Sequence, residues 1–393
     1  MQRTQSCDVA IVGGGMVGLA TAIGLAEAGL KVTVLDAGSQ AAVDGEPRLR
    51  VSAVNRASED LLKSLGAWHL LDSERLAAYG RMQVWDKDGM GRIGFDANEL
   101  GEDNLGTIIE NDNIAFALAK RAAECDNLDY REGVRLSRLA FGEKEAWLTL
   151  EEGDMLSAAL VIACDGANSW VRSQCNIPLT FWDYGHTAIV ATIETAEPHQ
   201  DCARQVFLPD GPLAFLPLYQ PNLCSIVWSV AEPKAQALLA MDDENFSKSL
   251  TAAFDARLGL CRVASERIGF NLRMRYARHF ARHRLLLAGD AAHTIHPLAG
   301  QGVNLGFQDA AAIIATIGRL KDEGKDIGDY RLLRPLERER KAAAQEMIAT
   351  MEGFKRLFQG NNPIKQAVRD LGLNLVDKLP GLKTVFIRQA MGR

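Results

Sequence analysis

The stretch Ala288–Ala310, AGDAAHTIHPLAGQGVNLGFQDA, sets His293 and His296 three residues apart, just beyond Asp290. Two imidazoles beside a carboxylate could begin a metal site, but zinc takes a closed set of ligands, and the chain offers no second cluster to complete one. Its seven cysteines (Cys7, Cys125, Cys164, Cys175, Cys202, Cys224, Cys261) are scattered without a CxxC pair. No metal is expected. The glycines of the same stretch suggest other chemistry: Gly300-Gln301-Gly302-Val303-Asn304 opens a helix, and the unpaired amides at a helix start attract negative charge.

A second glycine cluster lies near the beginning. Cys7–Val12 is a strand candidate, Gly13-Gly14-Gly15-Met16-Val17-Gly18 has the form GxGxxG, Leu19–Ala28 continues as a helix, and Lys31–Leu35 is a second strand ending at Asp36. In a βαβ dinucleotide fingerprint each part has a task. Gly13 allows the tight turn, Gly15 lets the backbone approach a pyrophosphate, Gly18 lets helix and strand pack closely, and Asp36 accepts bonds from the ribose hydroxyls. The fingerprint by itself does not choose between FAD and NAD. Two further apolar strands, in LVIACDGANSWVR (160–172) and RLLLAG (284–289), deliver Asp165 and Asp290 at their carboxyl ends, where open α/β sheets bind ligands.

GGGMVG, CDGANSWVR and GDAAHTIHPLAGQGVNLG resemble, in order and spacing, the three motifs of the single-component flavoprotein aromatic hydroxylases, and the likeness runs along nearly the whole chain. LRVSAVN (49–55), LTFWDY (179–184), FLPL (215–218) and HTIHPLAGQGVNLGF (293–307) are similar to the ubiquinone-biosynthesis hydroxylases that act on polyprenylated phenols, among them the enzyme for ring carbon five. The resemblance implies FAD as cofactor and NAD(P)H as a transient reductant without a Rossmann site of its own. It also implies oxygen insertion into a polyprenylphenol ring through a flavin C4a-hydroperoxide. By the same resemblance Arg50 meets the FAD pyrophosphate, Asn111 contacts the cofactor, and Asp290 holds the ribityl chain. Asp165 orders the loops near the phosphates. Gly300, Gly302, Val303 and Asn304 bring amides to the isoalloxazine, with Pro297 and His296 near the reacting centre.

These residues need elements to hold them. The expected fold is α/β, a Rossmann-like FAD-binding domain with an interleaved antiparallel-sheet substrate domain and a helical carboxyl-terminal region. The domains are drawn at 1–80 with 106–178 and 276–330, at 81–105 with 179–275, and at 331–393. Met82–Phe95 reads as a hairpin, and Ala188–Ile193, Gln205–Leu208, Leu213–Pro217 and Cys224–Val230 read as antiparallel strands. Phe215, Pro217 and Trp228 are the candidate walls of the substrate pocket, with ordinary sheet core as the competing role.

At 393 residues, 47% hydrophobic, the chain is long enough for two domains, and its formal charge of −6 gives no basic footprint for nucleic acid. Val9–Ala26 lacks charge for 18 residues, yet its five glycines and the strand beyond it read as the nucleotide fold rather than a leader or span. The scattered thiols fit a reducing cytoplasm. From Gly353 to Arg393, by contrast, eight Lys or Arg stand against two acids. That region either packs on the body with a solvated basic face or meets an anionic membrane surface or another ubiquinone-biosynthesis protein, placing the enzyme peripherally at the inner membrane. Homo-oligomerisation is compatible with the sequence. Two other functions share the motifs: a flavin-dependent reductase or dehydrogenase of an isoprenoid, and a non-catalytic prenyl-binding escort.

Overall fold

A computed structural model describes residues 4–39, 49–295, 302–358, 384, 388 and 391–392. Five strands of the first sheet run parallel in the order Leu285–Leu287, Met155–Ala163, Thr4–Val12, Val32–Leu35 and Leu128–Arg131. All-parallel strands are covered on both faces and therefore read as apolar runs. VTVL and LLL are buried throughout, as the sequence suggests. Helices Met16–Glu27, Asn111–Ala123 and Gly302–Asp322 contribute to one apolar cluster with this sheet. Four of the five strands end at or beside a predicted site residue: Val12 before Gly13, Leu35 before Asp36, Ala163 two residues before Asp165 and Leu287 three before Asp290. The chain thus collects its acids and its tight turn along one edge of the sheet, the edge at which such folds bind ligands.

The second sheet is mixed rather than wholly antiparallel. Its order is His293–Thr294, Ile268–Ala277, Leu179–Thr195, Leu223–Ala231, Gly211–Pro217, Cys202–Leu208, Arg81–Asp86 and Arg92–Asp96, with Cys261–Val263 beside the long strand. The predicted hairpin is present, Arg81 opposite Asp96. Its first strand pairs with Cys202–Leu208 in parallel, which corrects the expected arrangement. The long Leu179–Thr195 strand is offset in register between Asp183 and Thr187 on its pairing with Ile268–Ala277. One face of the sheet packs on helices Glu232–Leu239 and Asp243–Ala253. Val51–Asn55, Gly106–Glu110 and Ala77–Tyr79 form a small antiparallel sheet, and the hairpin of the second sheet is inserted between the last two of them in sequence order.

Within the region expected to be helical, Tyr330–Phe358 is one helix with Pro335 inside it, in the second turn, where the missing N–H removes a single backbone bond. No helix among the described residues is long and apolar enough to cross a membrane.

Candidate active site

The amino-terminal turn has the geometry that its glycines require. Gly13 has φ +105°, and a Cβ there would overlap the Cys164 carbonyl oxygen on the neighbouring strand. At Gly18 a Cβ would overlap the Gly13 carbonyl and lie 3.2 Å from the Cys164 Cβ, so helix and turn can be this close only without side chains. Gly15 is different: an added Cβ meets no protein atom within 4 Å, because this residue faces an open cleft. Asp36 accepts from the backbone N–H of Gly14 and of Gly38, each at 2.9 Å. Asp165 caps the short Trp170–Gln174 helix by accepting from the Val171 N–H at 3.0 Å and does not itself line the cleft.

Across the sheet edge, Gly289-Asp290 comes after the Leu285–Leu287 strand, and the Asp290 side chain opens into the same cleft. Surrounding protein raises the Asp290 carboxyl above the usual carboxylate range, against the pull of His293, Arg50 and Arg275. His293 has a buried ring. Its Nε2–H donates to Asp309 Oδ2 at 2.6 Å, and the same oxygen accepts from the Gly289 N–H at 3.0 Å. Arg340, on the Tyr330–Phe358 helix, donates from Nε to Asp309 Oδ1 at 2.7 Å. The imidazole of the opening motif is therefore oriented by a carboxylate. No group of three or more His, Cys, Asp or Glu among the described residues is placed to hold a metal ion.

The Gly302–Asp322 helix presents Gly302, Val303 and Gly306 to the cleft. Asn304 does not face it. Its buried amide clamps the small sheet, donating to the Ala53 carbonyl at 2.8 Å and accepting from the Asn55 N–H at 3.0 Å, so it acts on the site through the backbone it fixes. Arg50 lines the cleft with its guanidinium 5.8 Å from the Phe270 ring centre, and Asn111 lines it while accepting from the Ser52 hydroxyl at 2.7 Å. His296, Pro297 and Gly300 lie outside the described residues.

The cleft holds about 430 Å³, and its far wall is the second sheet, where Ala188, Val190, Ser225, Val227, Phe270 and Leu272 face inward. The predicted wall residues do not. Phe215 stacks on Phe254 at 3.7 Å between ring centres, and Trp228 packs edge-on to Phe246, both in the core on the opposite face. Pro217, two residues beyond Phe215, shares its side of the strand and is likewise absent from the lining. The correction is one of parity: successive strand residues point to opposite faces, so Ser225 and Val227 reach the cleft and Trp228 cannot. Sequence reading also missed Asp309 and Arg340. A lone acid within an apolar helical run, GVNLGFQDAAAIIATI, was the available signal for Asp309.

A dinucleotide fits these walls. Gly15 and Gly302 leave open backbone at two places along the cleft, a helix start faces it from each, and Arg50, Arg273 and Asp290 line it. Comparison with known proteins agrees with the fit. Residues 6–351 match the family described as FAD binding domain. The chain is 35% identical over 390 residues to 3-demethoxyubiquinol 3-hydroxylase of Escherichia coli, covering 99% of each chain. It is 33% identical over 426 residues to human mitochondrial ubiquinone biosynthesis monooxygenase COQ6, covering 96% of this chain and 90% of that one. The fold superposes on p-nitrophenol 4-monooxygenase PnpA of Pseudomonas putida with a TM-score of 0.78 at 19% identity, covering 98% of both. The chain belongs to the FAD-dependent aromatic monooxygenases, within the group of ubiquinone-biosynthesis hydroxylases.

Proposed function

We propose that this enzyme hydroxylates the ring of a polyprenylated phenol, with NAD(P)H as a transient reductant. The observation that carries the proposal is the composition of one cleft, polar and glycine-lined where the parallel strands end and carrying an apolar patch of Ala188, Val190, Val227, Phe270 and Leu272 where the second sheet faces it. When bound, FAD supplies the activation of dioxygen and the oxygen atom to be transferred. The protein binds, orients and excludes water. In this reading Asp36 takes the adenosine ribose with its remaining lone pairs, Arg50 the pyrophosphate, and Asp290 the ribityl hydroxyls. Gly13, Gly15 and Gly18 keep the amino-terminal backbone close, Asn111 contacts the cofactor, and Asp165 and Asn304 hold the surrounding loops. The helix start at Gly302 and Val303 turns its positive end toward the charge that a reduced flavin carries. His296, Pro297 and Gly300 keep their sequence-derived roles at the reacting centre as part of the proposal.

The domain division drawn from sequence is retained with one change of emphasis, since Arg340 joins the carboxyl-terminal helix to the site through Asp309. The basic segment beyond Gly353 is assigned to an anionic lipid surface or a pathway partner, each cation there contributing about 1 kcal/mol.

Incubation of the purified enzyme with a short-chain prenylphenol, NAD(P)H and isotopically labelled dioxygen tests the reaction. The expected product carries one labelled oxygen on the ring. A product without label, or one reduced in its isoprenoid chain, replaces the hydroxylase by the reductase reading.

A further inference from the structure

Two buried hydroxyls on the sheet side of the cleft have no partner among the described residues. Thr192 and Ser225 stand opposite each other in the antiparallel pairing of Leu179–Thr195 with Leu223–Ala231, so their side chains share a face. It is the face of Val190 and Val227, the next pair along, both of which line the cleft, as does Ser225. Thr192 is 3% exposed and Ser225 1%, and neither Thr192 Oγ1 nor Ser225 Oγ makes a hydrogen bond to any of the described residues. Two other threonines of the same strand do have partners: Thr195 donates to the Glu197 carbonyl at 2.8 Å, and Thr187 lies 2.9 Å from Glu232 Oε2.

An unpaired buried hydroxyl costs about 1–3 kcal/mol, and valine and alanine would occupy these positions without that penalty. The placement therefore has a use only when something polar reaches the wall. We propose that Thr192 and Ser225 are positioning residues that receive the phenolic oxygen of the substrate. The inference rests on the phenol-hydroxylase reading and deepens it. A phenol offers one O–H and two lone pairs, and each side-chain hydroxyl can both donate and accept, so one can take the phenolic proton in a hydrogen bond while the other donates to the oxygen. With the flanking Val190 and Val227 against the ring, this pair fixes the rotation of the ring in its own plane. That rotation decides which ring carbon faces the cofactor side of the cleft.

The test uses the FAD-loaded enzyme and three ligands: a 2-prenylphenol with one isoprene unit, its methyl ether, and the corresponding prenylbenzene. Binding is read from the change in flavin absorbance, and thermal unfolding is monitored without ligand. Ser225→Ala and Thr192→Val should each weaken binding of the phenol by about tenfold and of prenylbenzene by less than about twofold. The methyl ether, which accepts but cannot donate, should fall between them. Thr192→Ser, which keeps the hydroxyl, should stay within about threefold of the parent for the phenol. Because each change removes an unpaired group, Ser225→Ala and Thr192→Val should melt at or above the parent temperature. Equal loss of phenol and prenylbenzene affinity, parental phenol affinity in both variants, or a lowered melting temperature in both would overturn the inference while leaving the hydroxylase reading in place. A parent enzyme that binds none of the three ligands would remove the phenol reading itself and this inference with it.

Discussion

Replacing Asp309 by Asn removes one charge at nearly constant volume, and the three donors around the group can no longer all be satisfied. The carboxylate accepts three hydrogen bonds, from the Gly289 N–H and His293 Nε2–H on Oδ2 and from Arg340 Nε–H on Oδ1. An amide has one accepting end. Turned one way its NH₂ group opposes the Arg340 donor, and turned the other way it opposes Gly289 and His293. Either choice leaves a guanidinium without its buried counter-charge, and removing one partner of such a pair costs about 3–5 kcal/mol, a large part of the roughly 5–15 kcal/mol that keeps a domain folded. Urea unfolding of the FAD-free protein at neutral pH should show that loss. Equilibrium dialysis should show weaker FAD retention, because the turn carrying Asp290 loses its tether. Burial raises the Asp309 carboxyl, but His293 and Arg340 outweigh it and hold the group below the usual carboxylate range. A depressed folded value means the stabilisation is complete above the unfolded value of about 3.9 and is lost as pH falls through the lower, folded one. The gap between Asp309→Asn and the parent should therefore be full at neutral pH and narrow only below about pH 4. A variant within about 0.5 kcal/mol of the parent at neutral pH, the scale of an ordinary surface substitution, would refute the reasoning.

Other perturbations separate binding from folding. Gly15→Val should fold with parental stability yet emerge colourless, since its side chain enters the cleft and meets no protein, whereas Gly18→Ala should lose stability outright against the Gly13 carbonyl; absorbance and thermal melts distinguish the two, and stoichiometric FAD in Gly15→Val would remove that turn from the site. Asp290→Ala should lower FAD affinity by about tenfold with an unchanged circular dichroism spectrum of the apoprotein, and parental affinity would sink its assignment. Sedimentation with anionic vesicles at low salt should carry the enzyme down, and changing Lys355, Arg356, Lys365 and Arg369 to Gln should abolish this; recovery in the supernatant with and without vesicles would leave only the partner-protein alternative.

Much of the cofactor side could be read from the chain because its constraints are local. The glycine spacing of the turn at Gly13, Gly15 and Gly18 and the acids closing buried strands form patterns a few residues long, although the close approach at Gly13 is to Cys164, far along the chain, and the family resemblance extended them. The substrate side depends on parity, which composition does not reveal. In LCSIVWSVA both faces of the strand are largely buried, so no polar alternation distinguishes the cleft face from the core face, and the large aromatic Trp228 drew the pocket to the wrong side. The strand Ile268–Ala277 went unread because Arg273 and Arg275 interrupt its apolar pattern while bonding Asp183 and the Ala167 carbonyl across the fold. Arg340 and Asp309 are 31 residues apart on different helices, a distance over which no local pattern runs.

The alternation of the Leu223–Ala231 strand also bears on how this protein can change. Ile226, Trp228 and Val230 belong to the core beneath the two short helices, while Ser225 and Val227 face the cleft. Adjacent codons thus answer to separate selective demands, one for a persistent scaffold and the next for the shape and polarity of a ligand. A lineage on this scaffold can explore new aromatic substrates by drift at odd-numbered positions of that strand, with the even-numbered ones holding the fold constant beneath it.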